Sequence, residues 1–204
     1  SLVDTPTNGD TASDTGAGNQ ITGNYATFNP LDAWSSMSFS NGNLQMTDSG
    51  NGGDRGGFLT IGPTADKFYW EITFTAVAGE NYIGLAKKGR TQSSSDIWSG
   101  GGDAYMYYSN GNKLGQGNGG GGQSYGASWT ANDVMGVAVD WTNGSITFYK
   151  NGVSQGVAFS GQDLSEYMPA VYFNTNQSAT VVLNAGQRAF SHPVSGYKSL
   201  NTAN

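Results

Sequence analysis

The chain has 204 residues, 32 of them glycine, with 12% charged side chains, no cysteine and a net charge of −6. That length can bury one sizeable core, and the lack of cysteine excludes disulfides and thiolate metal sites. The nine basic residues are scattered, which argues against nucleic acid or an anionic membrane as partner, and no apolar run approaches the roughly 20 residues of a membrane span.

Residues 1–24, SLVDTPTNGDTASDTGAGNQITGN, carry almost no periodic apolar signal and read as a linker or N-terminal arm, either loose or ordered against the domain. The opening has no signal-peptide pattern and reads as a cut from something longer. Residues 25–204 read as one globular domain. The stretch NYATFNPLDAWSSMSFSNGNLQMT offers Phe28, Leu31, Trp34, Phe39, Leu44 and Met46 for burial around an Asn41-Gly42 turn, and is expected to supply edge strands. In FYWEITFT, Phe68, Trp70, Ile72 and Phe74 share one face, and Tyr69, Glu71, Thr73 and Thr75 the other. NYIGLA, AYMYY, VMGVAVDW, SITFYK, VSQGVAF, AVYF and ATVVLN are the further strands. Asn143-Gly144 and Asn151-Gly152 are expected as two-residue type I′ turns, because Asn and Gly accept positive φ at least cost. The segment from VMGVAVDW to VSQGVAF is then a three-stranded meander. Helical periodicity is absent from windows longer than about ten residues, leaving a turn or two at most near GQDLSEY. Short strands between Gly and Asn turns predict an all-β sandwich. Its expected core includes Trp70, Phe74, Trp141, Phe148 and Phe173. The Gly- and Ser-rich stretches between residues 89 and 127 belong on a rim.

Several motifs point to chemistry that their context does not support. GQGNGG matches the dinucleotide fingerprint, but no helix follows to hold a pyrophosphate. GQSYG matches a nucleophile elbow around Ser124, with Asp163 and His192 downstream, yet that elbow belongs to an α/β sheet. Glycoside hydrolysis needs two carboxylates about 5 to 10 Å apart, and Glu71 with Asp140 is the pair on offer. DSGNGGDRGG could present oxygens to calcium, although its spacing is not that of an EF-hand, so solvated loop carboxylates are expected. With one histidine and no cysteine, a zinc cluster is excluded, and no metal or cofactor is expected.

KFYWEITF, YIGLAKKG, YGASWTANDVMGVAVDWTNGSITFYKNGVSQGVAF, MPAVYF, VVLNAGQRAF and HPVSGYKSL resemble, in order and nearly in wording, a SPRY domain over about residues 57 to 198. The resemblance implies a bent, two-layer antiparallel β-sandwich, concanavalin-like, that acts as a non-catalytic recognition module through loops along one edge. Residues 25–47 do not look like the extra N-terminal subdomain of many animal members. The low charge, the DTPTNGD…GNYATFNPLD opening and the GYKSLNTAN close are instead similar to SPRY modules in bacteriophage structural proteins. That implies adhesion by a virion or fibre protein, in a virion or extracellular location. Its partner would be a protein or glycan at a host surface, or a neighbouring virion subunit. Exposed Trp and Tyr among small polar residues suit a binding surface. The expected contact set is Arg55, Arg90, Asp96, Trp98, Asp103, Tyr107, Tyr125 and Trp129, with rings stacking and charges orienting the ligand. The rival readings are a structural spacer and a β-sandwich glycoside hydrolase.

Overall fold

The structure, a computed structural model, describes residues 24–49, 54–77, 79–89, 103–115, 122–174 and 178–204. Among these, every regular element is a strand: β1 (Phe28–Ala33), β2 (Met37–Ser40), β3 (Gln45–Asp48), β4 (Asp54–Leu59), β5 (Lys67–Ala76), β6 (Glu80–Lys87), β7 (Ala104–Tyr108), β8 (Asn112–Leu114), β9 (Gln123–Ser124), β10 (Val134–Asp140), β11 (Ser145–Lys150), β12 (Val153–Phe159), β13 (Tyr167–Asn174), β14 (Ala179–Asn184) and β15 (Lys198–Ser199). One sheet has the order β1-β4-β13-β6-β7-β8-β9, and the other β12-β11-β10-β5-β14-β3-β2. All pairings are antiparallel except the short one between β15 and β5. The expected sandwich is present. GQDLSEY holds only a turn, closed by the Tyr167 N–H on the Leu164 carbonyl at 3.0 Å.

The two-residue period of a strand sorts the side chains. On β5, Phe68, Trp70, Ile72 and Phe74 enter the core between the sheets, where they meet Trp141, Phe148 and Phe173. On β7, Tyr105 and Tyr107 join that core, while Ala104, Met106 and Tyr108 form a second cluster on the other face with Phe58, Tyr82 and Tyr172. The outer side of β5 is not open either. Tyr69 and Glu71 are buried there under the segment after β14, with the Phe190 ring 5.0 Å from that of Tyr69. Tyr69 lies across Gly136, where an added Cβ would come within 2.4 Å of its hydroxyl. Leu31, expected inside, is fully exposed. The Asn29 side chain accepts the Leu31 N–H at 3.1 Å, and the register of β1 against β4 is broken at this point, so Leu31 turns outward.

The two Asn-Gly pairs differ. Asn151 and Gly152 have φ of 48° and 80° and join Lys150 directly to Val153, the expected two-residue turn. At Asn143-Gly144 only Gly144 has positive φ, and the loop spans 141–144 because Asp140 pairs with Ser145. The cause is the Asp140 carboxylate, which accepts the Asn143 N–H at 2.9 Å and its side-chain amide at 2.8 Å. This holds Asn143 in an ordinary conformation and passes the left-handed position to Gly144. Near the first and last described residues, Tyr25 bridges Asn201, and Thr202 and Asn24 exchange bonds of 3.1 and 2.9 Å.

Candidate functional site

Strand register places the loops at two ends of the sandwich. Asn174 lies opposite both Asp54 and Glu80, and Tyr82 opposite Tyr108. The connections after β3, β5, β7, β11 and β13 therefore share one end, joined by the chain leading into β10. Ala86 lies opposite Ala104, so Asp103 and the C-terminal end of β6 belong to the other end. The length of β7 separates the two, about 17 Å. The expected contact residues are thus divided. Asp103 is half-buried at the far end, where its carbonyl accepts the Lys87 N–H at 2.8 Å. Arg55, Tyr107, Tyr125 and Trp129 are placed toward the near end. Arg90, Asp96 and Trp98 lie outside the described residues.

Three of the near-end residues are not on a rim. Arg55 is 2% exposed and meets the fully buried Asp48 at 2.7 Å, which also removes Asp48 from any solvated loop. A buried cation of this kind persists only when paired. Tyr107 is buried because it faces the core, with its ring 5.3 Å from Phe148, and its hydroxyl donates to the Ala127 carbonyl. Trp129 is buried against Phe74 at 4.9 Å. Tyr125 is half-buried and joins the two sheets: its hydroxyl donates to the Gly156 carbonyl at 2.5 Å and accepts the Phe148 N–H at 3.3 Å. Burial pushes its hydroxyl up to about 12, with the bond to Phe148 opposing the rise.

Residues that sequence reasoning passed over stiffen this end. The Ser109 N–H donates to the Asn81 carbonyl at 2.9 Å, the Asn81 N–H to the Ser109 hydroxyl at 3.3 Å, and the Trp129 N–H to the Ser109 carbonyl at 2.9 Å. The Asn132 N–H reaches the Phe74 carbonyl at 2.7 Å. Asn151 does more than turn the chain: its side chain accepts the Val134 N–H at 2.8 Å and donates to Asp133 at 2.7 Å. Among the buried side-chain atoms without a hydrogen-bond partner are the Asn81 side-chain oxygen and the Trp129 indole N–H at this end, alongside the Ser36 hydroxyl and, elsewhere, the Trp141 indole N–H. No linear pattern announces these cross-ties; only the Asn-Gly turn at 151 was a visible signal.

The carboxyls of Asp133 and Asp140 lie below the ordinary aspartate value. Burial opposes this, and donors outweigh it: Thr130, Asn151 and Lys150 at Asp133, Asn143 and Lys67 at Asp140. With folded values below the roughly 3.9 of an unfolded aspartate, their stabilisation is complete above that pH. It is lost as pH falls through the folded values. Urea midpoints should therefore drop on acidification below about pH 4, and Asp133→Asn should flatten that drop.

Glu71 and Asp140 do not form a hydrolytic pair. Glu71 stands opposite Gly136 and Asp140 opposite Lys67, four residues along the sheet and roughly 13 Å apart, beyond the catalytic range. Both Glu71 oxygens are also occupied, by the N–H groups of Ser191 and His192 at 2.9 and 2.7 Å and by Asn184 at 3.3 Å. Among the described residues no group of three or more His, Cys, Asp or Glu side chains could hold a metal ion.

Known proteins share this arrangement. Ran-binding protein 10 of Danio rerio is 28% identical over 186 residues, covering 84% of this chain and 29% of that protein. The E3 ubiquitin-protein ligase RKP of Arabidopsis thaliana is 40% identical over 85 residues, 40% of this chain and 6% of the ligase. The chain thus spans less than a third of the length of these two relatives. The SPRY domain of human HERC1 superposes with a TM-score of 0.63 at 24% identity, covering 76% of this chain and 96% of that domain, a likeness of fold. The SPRY family profile matches residues 67–188. Two antiparallel layers, cross-tied loops at one end and that match lead to one conclusion: the chain belongs to the SPRY domain family, whose members are protein-interaction modules.

Proposed function

We propose that this SPRY domain is a non-catalytic recognition module that reads a segment of a partner protein with the end bearing Asn81, Ser109, Trp129 and Asn151. The observation that carries this reading is a pair of buried atoms without partners, the Asn81 side-chain oxygen and the Trp129 indole N–H, beneath a set of mutually bonded loops. A buried polar atom without a partner costs stability, so a bound chain that displaces the cover over these two atoms would regain that cost by supplying the missing bonds. Loops already tied together lose little freedom on binding, which favours affinity. The setting we assign is adhesion at a virion or extracellular surface. The relatives named above are eukaryotic; the bacteriophage setting is supported by the low charge and the two end segments alone.

The test is a random-peptide display selection on the full chain, with a glycan array in parallel. Trp129→Phe removes the indole N–H together with the pyrrole ring, at some cost in stability; with calorimetry showing it folded at the assay temperature, it should lose the selected peptides. Asp103→Asn, at the opposite end, should retain them. Equal binding by Trp129→Phe would sink this site. Glycans bound in place of peptides would move the ligand class, and no enrichment on either format would favour the spacer reading.

A further inference from the structure

A β-sandwich leaves sheet edges whose N–H and C=O groups can template another strand. The two sheets here end in β1, β9, β12 and β2, and three of these edges are closed by identifiable means. β1 contains Pro30, which has no N–H, and its register is broken. β9 is two residues long. Along β12 side chains occupy the backbone: Gln155 donates to the Val153 carbonyl at 2.8 Å, Ser154 accepts the Gly156 N–H at 3.2 Å, Tyr125 donates to the Gly156 carbonyl, and Lys113 to the Ala158 carbonyl at 2.5 Å. The exposed Val153 and Val157 sit on this plugged strand.

β2 is less defended, with one of its backbone groups, the Met37 N–H, taken by the chain itself. Met37–Ser40 pair with Asp48–Gln45 in unbroken register and contain no proline, glycine or charge. Ser38 and Ser40 are exposed. Outside the ladder with β3, its hydrogen bonds among the described residues are local: the Met37 N–H to the Trp34 carbonyl at 2.9 Å, and the Ser38 hydroxyl to Thr47 at 3.4 Å.

We propose that the β2 edge accepts an extended segment of a partner protein as an added strand, independently of the loop end. The flanks define its chemistry. Met37, Phe39 and the partly buried Trp34 line the core side, so alternate residues of the guest must be apolar; the serine side takes small polar residues. A net charge of −6 selects neutral or basic segments over acidic ones. A second copy of this chain fits less well, because both copies would carry the same net negative charge of −6.

The experiment uses the full ¹⁵N-labelled chain with the synthetic peptide Lys-Val-Thr-Val-Thr-Val-Lys, and the same peptide N-methylated at its valines or at its threonines. Saturating peptide should shift the amide signals of Met37–Ser40 and slow exchange at the outward amides on the order of tenfold. At least one methylated form should fail, since methylation removes the strand-forming N–H. Ser38→Lys with Ser40→Lys should abolish the response without unfolding the domain, and Trp129→Phe should leave it intact. The proposal is overturned by a silent β2 at millimolar peptide or by undiminished responses to both methylated forms. Self-association through these amides in the absence of peptide would also overturn it.

Discussion

Glu71→Gln should lower the thermal midpoint by about 10 °C, because two backbone N–H groups lose an ionised acceptor inside the protein. The bonds from Ser191 and His192 are charge-assisted, and such bonds contribute about 1.5 to 3 kcal/mol each. The glutamine amide also turns a donor toward one of them. The combined cost of roughly 3 to 5 kcal/mol, at 2 to 4 °C per kcal/mol for a chain of this size, sets the expected shift. Calorimetry checks it, and faster amide exchange at residues 191 and 192 would localise the damage. An unchanged midpoint would show that Glu71 does not hold the C-terminal segment, and would reopen other uses for a buried carboxylate.

Arg55→Met should be about as severe. It removes the guanidinium that meets the fully buried Asp48 carboxylate at 2.7 Å, and removing one partner of such a pair costs about 3 to 5 kcal/mol. The double variant Arg55→Met, Asp48→Leu should recover much of that loss, since neither charge of this pair then remains. Urea unfolding of the three variants gives the coupling directly. Were Arg55→Met to keep wild-type stability while losing a selected peptide, Arg55 would be a contact residue after all.

The same two side chains show where a linear reading succeeds and fails. Alternation on β5 identified part of the core because one face, Phe68, Trp70, Ile72 and Phe74, is apolar without interruption. The strand β4 was missed because DRGGFL spends two positions on glycine. Gly56 is there for packing: a Cβ would come within 2.1 Å of the Val171 carbonyl, so the residue that fits is also the one with poor strand propensity. Arg55 reads as surface because charge usually is, and its burial depends on a partner seven positions earlier, a pairing that the sequence gives no way to see. Tyr107 belongs to a strand buried on both faces, where alternation carries no inside-outside information. Of the expected contact set, Tyr125 and Asp103 alone are part-exposed among the described residues, and they fall on different parts of the molecule.

The bridge between Tyr25 and Asn201, with Asn24 and Thr202 bonded beside it, sets how the domain would respond to pulling. Neighbouring strands lie about 5 Å apart, so residues 24 and 202 leave the described sandwich side by side, and the ends at those two points can be spliced into a surface loop of a host protein without forcing that loop open. Tension on those ends would peel the outermost bonds one after another, as a zip opens, rather than shearing a whole ladder at once. A domain closed in this way would give at its stem under load while the sandwich beyond it stayed folded.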